Sequence, residues 1–432
     1  MKKLYSALGI ALLCASCSKD DVSKIIDPIV NLTYPDKAIA TDPKVLGTVG
    51  QVKVYNGGYG SSMVQDPNDK TVFYLLTDRG PNIDGTEKES KVFANPMFTP
   101  QIGKFRLKDN VLVFESAIEL KNKNGVKLNG LPNPEGKGGS GEKALDTNGK
   151  DLGKSEDGID SEGLARAADG SWWVSDEYGP HIVHFDASGK EIERINPWTT
   201  GKKLPLVFAK RRPNRGMEGL TITPDGKTLV GIMQFPLYNP SKDAVKNSLI
   251  IRIVTMDIAT GNTKQFVYMM EKPDLQAVSE IAAVSNSTFI VLERDGEYAT
   301  EATRGTVFKK IYQIDLAGAT DISDPINGDQ GKLFGTEKKT VEALKDAATL
   351  AANNIKPVTK TLVADLMTDI KELYPHDKAE GLAVINSSLI AVCNDDDFGV
   401  TGEGTYKSKI LPAINTVDKN SIYFIKLKTP LK

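Results

Sequence analysis

Cysteine and histidine are scarce in this chain of 432 residues, which contains three of each. Cys14 and Cys17 both lie in the opening segment, so Cys393 is the only thiol in the remainder. We therefore expect no disulfide within one mature chain, and Cys393 is predicted to be a buried strand residue. The few histidines and the lack of a Gly-x-Ser-x-Gly segment argue against a conventional serine esterase.

The chain also lacks an excess of charge of one sign and lacks long apolar runs after its opening segment. The chain has 54 Lys and Arg against 56 Asp and Glu, a formal net charge of −2. This balance argues against a nucleic-acid partner, which would favour a basic field. After the opening segment no apolar run approaches the roughly eighteen residues that a membrane span requires.

The opening segment has the layout of an export signal. Lys2 and Lys3 precede an apolar stretch from Leu4 to Leu13, and small residues precede Cys17. We expect a lipoprotein signal peptide over residues 1–16, lipidation at Cys17 and a polar tether over 17–43. The expected location is the outer membrane, cell surface or periplasm of a Gram-negative bacterium, with the lipid as the only membrane attachment. Plain secretion is the alternative.

One sequence unit recurs along the chain. In each copy a short polar segment leads into an apolar run, a turn and a second apolar run, and two copies have Asp-Gly at the turn, a strong hairpin signal. The clear copies begin at 161–165, 217–221, 279–283 and 379–383, and a weaker copy begins at 60–64. Repeated small antiparallel sheets predict an all-β fold, a β-propeller of five or six blades over residues 44–432.

Two intervals between copies are longer than the others and predict insertions. Residues 121–158 are rich in Gly, Asn and Lys and predict a surface loop that covers one end of the ring. Residues 340–353 carry apolar residues at helical spacing after Thr340, a good N-cap type, and predict one short helix.

Acidic residues occupy equivalent places in the repeats. In a propeller such positions converge at the central channel. The first set precedes the first strand of four units, and the second set lies about fourteen residues further on, near one hairpin length. The first set is Glu162, Glu218, Glu280 and Glu380, and the second is Asp176-Glu177, Gln234, Glu293-Arg294-Asp295 and Asn394-Asp395, with Asp78-Arg79 from the weak copy.

Several carboxylates around one narrow opening repel each other unless they share protons, meet cations or bind a metal. Oxygen ligands without cysteine suit hard cations, Ca²⁺ above Mg²⁺ in a flexible site. Arg79, Arg215 and Arg294 lie beside the acidic positions and favour an anionic substrate. Two alternatives stay open: each Glu caps backbone amides of the neighbouring blade, and each Arg pairs with a Glu.

Five blocks of the chain resemble the phytase-like proteins described as having esterase-like activity. The resemblance spans about residues 45–428 and depends on the order and spacing of the blocks. They are Thr77–Pro81, Asp160–Leu164 with Trp173–Pro180, Asn214–Leu220, Ser279-Glu280 with Leu292–Asp295, and Ala379–Leu382.

The resemblance implies a propeller similar to the β-propeller phytases, in which channel carboxylates bind Ca²⁺ that holds and hydrolyses phosphate esters. We therefore expect a metal-assisted hydrolase of phosphorylated or acidic small esters. A non-catalytic propeller that binds a ligand or partner is the alternative. The expected metal ligands are Glu162, Glu218, Glu280, Glu293, Glu380 and Asp395, and the expected catalytic residues are Arg79, Asp176, Arg215 and Arg294.

We predict that Cys17→Ala releases the protein from the membrane fraction, because no other anchor is expected. The measurement is the distribution of the protein between membrane and soluble fractions, with Cys14→Ala as the matched control. Release by Cys14→Ala but not by Cys17→Ala would mean that the other cysteine carries the lipid.

Overall fold

The computed structural model describes residues 32–139, 141–179, 181–273 and 276–432. The predicted signal peptide and Cys17 lie outside the described residues. Residues 34–432 form one unit, and the following description concerns that unit.

Five antiparallel sheets of four strands follow one another around a ring, and we number them as blades 1 to 5. From the axis outward, blade 1 contains Ser62–Gln65, Val72–Leu76, Gln101–Lys108 and Val111–Glu119. Blade 2 contains Ser161–Arg166, Trp172–Asp176, His181–Phe185 and Glu191–Ile195. Blade 3 contains Met217–Ile222, Thr228–Met233, Ile250–Asp257 and Thr263–Met269. Blade 4 contains Ala277–Ala283, Thr288–Arg294, Lys309–Asp315 and Thr359–Asp365. Blade 5 contains Leu382–Asn386, Leu389–Cys393, Ser421–Lys426 and Lys37–Ala40.

The N-terminal strand Lys37–Ala40 closes the ring. It pairs antiparallel with Ser421–Lys426, with Ala38 opposite Ile422, and thereby forms the outer strand of blade 5. It also makes a short parallel pairing with the outer strand of blade 1 through Ile39 and Val111. The five inner strands contact one another in sequence, and that of blade 5 returns to that of blade 1. The β-propeller prediction is confirmed, and the ring has five blades in the described part of the chain.

The core lies between the blades. The second strands of blades 1 and 2, Val72–Leu76 and Trp172–Asp176, are buried at every position because a neighbouring blade covers each of their faces. Tyr74 of blade 1 packs on Trp172 of blade 2 with 4.9 Å between ring centroids. Apolar clusters of this kind connect each blade to the next around the ring. Cys393 is buried in the second strand of blade 5, as predicted.

The two insertions differ from prediction in detail. The Gly-rich interval contains one strand, Lys143–Asp146, which pairs with Ser90–Phe93 of a small sheet that also includes Asn82–Asp84. The α-helix is shorter than predicted, Ala347–Ala352, and Asp346 caps it by accepting a hydrogen bond from the Thr349 amide. Thr340 instead donates its hydroxyl to the Asn239 carbonyl, 2.6 Å away.

Short elements complete the described part of the chain. Three small antiparallel pairs are Val45–Val49 with Val52–Tyr55, Val400–Thr401 with Lys407–Ser408, and Ile410–Leu411 with Thr416–Val417. Three 3₁₀ turns are Leu206–Lys210, Glu342–Leu344 and Asp397–Gly399. Among the described residues, no helix has the length and apolar character needed to cross a membrane.

We predict that Ala38→Asp destabilises the ring by about 2–5 kcal/mol, because it buries an unpartnered carboxyl group at its closure. Ala38 is 0% exposed, whereas the adjacent Ile39 is 42% exposed. Ile39→Asp is therefore the matched control and should have a much smaller effect. Thermal melting measures both, and equal losses would contradict a closing role for this strand.

Candidate functional site

A polar cavity of about 290 Å³ lies where the inner strands begin. Acidic side chains outnumber basic ones in its lining, and several come from positions that are equivalent in the repeats. The acidic residues are Asp78, Asp160, Glu162, Glu177, Glu218, Asp295, Glu380 and Asp395, and the basic residues are Arg79, Lys91, Arg215, Arg294 and Lys378.

A local irregularity of the inner strands places these glutamates. The pairing of the first two strands shifts register at Glu162 in blade 2 and at Glu218 in blade 3, and such bulges redirect a side chain from the sheet face. The next residue is glycine in both blades. A Cβ on Gly163 would lie 2.4 Å from the Leu220 amide nitrogen, and one on Gly219 would lie 2.6 Å from the nitrogen of Ile281. In each Glu-Gly pair, the bulge therefore directs the glutamate side chain, and the glycine allows the neighbouring inner strands to approach closely.

Three carboxylates form the densest acidic group. Asp160, Glu162 and Glu177 are buried, and each offers one oxygen such that the three oxygens lie within 4.8 Å of one another. Burial raises the pKa of Glu162 well above its ordinary value, and the nearby Glu218 carboxylate raises it further. Burial likewise raises the pKa of Glu177, against the opposing effect of Arg215. This group holds more negative charge than its surroundings compensate.

Glu218 and Glu380 face this group from blades 3 and 5. One oxygen of Glu218 accepts a hydrogen bond of 2.6 Å from Gln234, and its other oxygen is buried without a hydrogen-bond partner among the described residues. Burial and then the charge of Glu380 raise the pKa of Glu218 to about 8. Arg294 donates to Glu380 at 2.5 Å and to the Ser279 hydroxyl at 3.0 Å.

The three arginines differ in how free they are to bind a ligand. Arg79 is buried, and one of its terminal nitrogens lies 3.1 Å from Glu142, 3.2 Å from Asp160 and 3.0 Å from the Tyr178 hydroxyl. Arg294 is held by Glu380, as described above. The side chain of Arg215 is 42% exposed, and its nearest carboxylate oxygen, on Glu177, is 3.5 Å away. Arg215 is thus the arginine best able to receive an anion.

Asp395 and Asp78 line another part of the cavity. Asp395 accepts a hydrogen bond of 2.7 Å from Lys378, which also donates to Asp397 at 2.6 Å. Burial, followed by repulsion from Asp160, raises the pKa of Asp78 to about 7.

Three residues predicted from the sequence do not line the cavity. Glu280 accepts hydrogen bonds from the Ser62 hydroxyl and from the amides of Leu220 and Ile281, so it joins blade 4 to blades 1 and 3. This is the capping role that the sequence left open. Glycine is absent after Glu280, where Ile281 stands instead.

The other two residues, Glu293 and Asp176, are also held by protein groups. Glu293 lies in a strand and points away from the axis, where it bonds to Tyr268 and Lys360. Asp176 accepts hydrogen bonds from the amides of Asp160, Tyr178 and Gly179. Its pKa is raised to about 6 by burial.

Two lining residues, Asp160 and Lys378, were not ligand candidates in the sequence analysis. Asp78, Glu177 and Asp295 belonged to its second acidic set but were not among the expected metal ligands. Asp160 and Glu177 had a usable signal, because each adjoins a repeat position. Glu177 follows the buried strand Trp172–Asp176 and reaches the cavity where Asp176 does not. Lys378 lies two residues before Glu380 in a segment without regular structure, and no periodicity marks it.

This ring with its acidic axial cavity defines a β-propeller protein with a charged central site. A family model described as "Phytase-like: Esterase-like activity of phytase" matches residues 56–398. The chain belongs to this phytase-like family, which confirms the resemblance.

Similar proteins carry little further functional information. An "Uncharacterized secreted protein" of Arthroderma benhamiae is 29% identical over 175 residues, which cover 32% of this chain and 34% of that protein. The match thus spans about a third of that relative's length. A Lactobacillus plantarum protein of known structure is 10% identical, with a TM-score of 0.35 and 87% and 89% of the two chains covered. The Malassezia sympodialis allergen Mala s 1 is 11% identical, with a TM-score of 0.34 and coverage of 91% and 96%.

We predict that the metal-free protein loses stability as pH rises from about 5 to about 8. Glu218 has a pKa of about 8 in the folded protein, against roughly 4.3 for an unperturbed glutamate. The folded state therefore holds an extra proton in this interval, and the stability that this proton provides declines as it leaves. Glu218→Gln should reduce the slope of this dependence, while the raised pKa values of Glu162 and Glu177 keep part of it.

Thermal melting in chelator across this pH range provides the measurement. Glu156→Gln, at an exposed side chain, is the matched control and should follow the wild type. A wild-type melting temperature that stays constant from pH 5 to 8 would contradict the prediction.

Proposed function

We propose that the chain is a metal-assisted hydrolase of small anionic esters, with Ca²⁺ as the metal, and that the axial cavity is its active site. The supporting observation is the buried group Asp160, Glu162 and Glu177, whose oxygens are mutually within 4.8 Å. Three carboxylates at this separation are costly to ionise together without a cation. Membership of a family described by esterase-like activity supports hydrolysis as the reaction class.

The donor set fits a hard cation. All the candidate ligands are carboxylate oxygens, which Ca²⁺ prefers. One oxygen of Glu218 is buried without a hydrogen-bond partner among the described residues. Asp160, Glu162 and Glu177 would hold the metal. The carboxylates of Glu218 and Glu380 lie close enough to Glu162 for their negative charges to raise its pKa. Asp395 also lines the cavity, but Lys378 already neutralises its negative charge through an ion pair of 2.7 Å.

The bound cation would polarise an ester oxygen and lower the pKa of a water molecule. The other parts of the mechanism belong to side chains of the cavity. Arg215 would receive the anionic group of the substrate, because it is the most exposed of the three arginines and its ion pair is long. Arg79 and Arg294 keep Asp160 and Glu380 in place. Glu218 would accept the proton in its ionised form, because a cation held by the neighbouring carboxylates would lower its pKa from about 8.

A non-catalytic binding protein is the second candidate, because the same cavity could retain an anionic ligand without reaction. The locked geometry of Arg79 and Arg294 is compatible with either role. We also propose export with lipidation at Cys17. The Arthroderma benhamiae relative is described as secreted, which supports export.

We predict that Ca²⁺ raises the melting temperature of chelator-treated protein. Binding to the folded state alone stabilises it by roughly 2.7 kcal/mol at a free concentration one hundred times the dissociation constant. The measurement is a Ca²⁺ titration followed by thermal melting, with Mg²⁺ in parallel. A melting curve indifferent to chelator and to added Ca²⁺, with no metal in the purified protein, would refute the metal site.

We predict that Glu218→Gln and Glu380→Gln each reduce hydrolysis of a phosphate ester by roughly two orders of magnitude or more while folding survives. Each change keeps the size of the side chain. At Glu218 it removes the proton acceptor, and at Glu380 it removes the negative charge that holds Arg294 beside the cavity. Arg215→Ala should chiefly raise KM, because it removes the group that receives the anion.

The assay uses phosphate monoesters, phosphate diesters and carboxylate esters with Ca²⁺ present, and Glu156→Gln as the control. Nearly silent glutamine variants would indicate a structural role for both glutamates. If the wild type hydrolyses no ester yet binds a small anion, and Arg215→Ala abolishes that binding, the non-catalytic function replaces the enzymatic one.

A further inference from the structure

Four basic residues lie shortly before the inner strand of blade 3, and they differ in their partners. Lys210 forms an ion pair of 3.2 Å with Asp329, and Arg211 is buried and donates to two backbone carbonyls. No carboxylate of the described residues forms an ion pair with Arg212, and the pair of Arg215 is long, at 3.5 Å. Arg212 and Arg215 are therefore the two that remain available to a ligand.

A tight turn places these two arginines side by side. The Arg215 amide donates a hydrogen bond of 3.2 Å to the Arg212 carbonyl, and Asn214 between them has a φ of +50°. Proline at the second position of a turn and asparagine at the third favour this geometry, because proline presets its own φ and asparagine tolerates a positive φ. The order Arg-Pro-Asn-Arg thus brings two guanidinium groups to the base of one turn.

Aromatic rings hold the guanidinium of Arg212. Its central carbon lies 4.4 Å from the centre of the Phe235 ring and 5.3 Å from that of Tyr238. Contacts of this kind orient a guanidinium group while its N–H donors stay available at the edge of the plane. Arg212 is thus an oriented cation whose donors no described residue uses, which suits bidentate binding of an oxyanion.

Both arginines line a second cavity of about 900 Å³, which we call the basic cavity. Three of its acidic side chains are neutralised by ion pairs, namely Asp84 with Lys91, Glu87 with Lys143 and Glu142 with Arg79. The other charged lining residues are Lys88, Arg212, Arg215 and Lys242, which are basic, and Glu89 and Glu403, which are acidic. Four cations against two carboxylates leave an excess of about two positive charges.

This excess determines what the basic cavity can bind. A ligand with two negative charges would compensate it, whereas an uncharged ligand would leave it in place. An acyl chain would need a mainly apolar lining, but Tyr238 and Pro213 are the main apolar side chains of this cavity. The volume lies within the range of roughly 300–1,000 Å³ that is typical of small-molecule pockets.

We propose that the basic cavity is a binding site for a small molecule with two negative charges, a phosphate or a dicarboxylate. Arg212 receives one oxyanion through its paired donors, and Arg215 and Lys242 compensate the remaining charge. Because side chains supply all the positive charge, the site needs no metal. It differs in this from the axial cavity, whose carboxylates repel anions unless a cation neutralises them.

The test is calorimetric titration of metal-free protein at low ionic strength. The protein is dialysed into an amine buffer with chloride and without chelator, because chelators are themselves polyanions. The probes are inorganic phosphate, malonate, acetate and glucose. We expect phosphate or malonate to bind at least roughly tenfold more tightly than acetate, with no binding of glucose. Added NaCl should weaken the binding of the dianion, and the preference between phosphate and malonate identifies the class of oxyanion.

Two variants locate the site. Arg212→Gln and Lys242→Gln should each weaken dianion binding by roughly fivefold or more, and Arg212→Lys should be intermediate, because it keeps the charge but loses the planar fork. Lys203→Gln is the matched control and should bind as the wild type does, since Lys203 is an exposed lysine in a separate surface depression. Thermal melting shows that the variants fold, and Lys242, which is exposed, decides the matter if Arg212→Gln does not.

The inference is overturned if neither dianion binds more tightly than acetate, or if both glutamine variants bind as the wild type does. Binding that only Arg215→Ala removes would place the anion at the axial cavity and would overturn it too. The hydrolase proposal is tested separately, with Ca²⁺ present and by turnover. Failure of either proposal therefore leaves the other standing.

Discussion

The close approach of neighbouring inner strands at the ring axis is the constraint on which the rest of this structure depends. Glycines after Glu162 and Glu218 permit this approach, because any Cβ there would collide with the backbone of the next blade. The same local irregularity turns the glutamates inward. Packing of the ring and concentration of charge at its axis therefore have one origin, and the acidic site follows from how the blades meet.

The carboxylates that line the cavity differ in how closely they are paired with basic side chains. Arg294 with Glu380, and Lys378 with Asp395, form close ion pairs, so these carboxylates are already neutralised by the protein. Asp160, Glu162 and Glu177 share mainly Arg79 and the more distant Arg215. The negative charge is therefore least compensated where Asp160, Glu162 and Glu177 meet. The unequal distribution also explains why the arginines have different roles although each lies within three residues of an acidic residue.

The repeated pattern of the sequence predicts the propeller, one hairpin in each repeat and the convergence of Glu162, Glu218 and Glu380 at the channel. It does not distinguish these from Glu280, because the repeat position is the same and the difference arises from hydrogen bonds to Ser62 and Leu220 in other blades. The repeat pattern also does not separate Asp176 from Glu177: Asp176 ends a buried strand and accepts hydrogen bonds from backbone amides, whereas Glu177 lies one residue beyond the strand and lines the cavity. The partners of Arg79 could not be predicted, because Glu142 comes from the Gly-rich interval and no periodic pattern locates it.

The closing strand Lys37–Ala40 has a consequence for how the chain reaches its native state. Its antiparallel partner, Ser421–Lys426, lies at the opposite end of the sequence. The first strand of the ring to be synthesised must therefore wait for the last before blade 5 is complete, and contacts this distant in sequence form slowly. A product that ends before residue 421 leaves Lys37–Ala40 without its antiparallel partner and exposes the edge of Leu389–Cys393, to which other strands can add. Completion of the ring is thus coupled to completion of the chain.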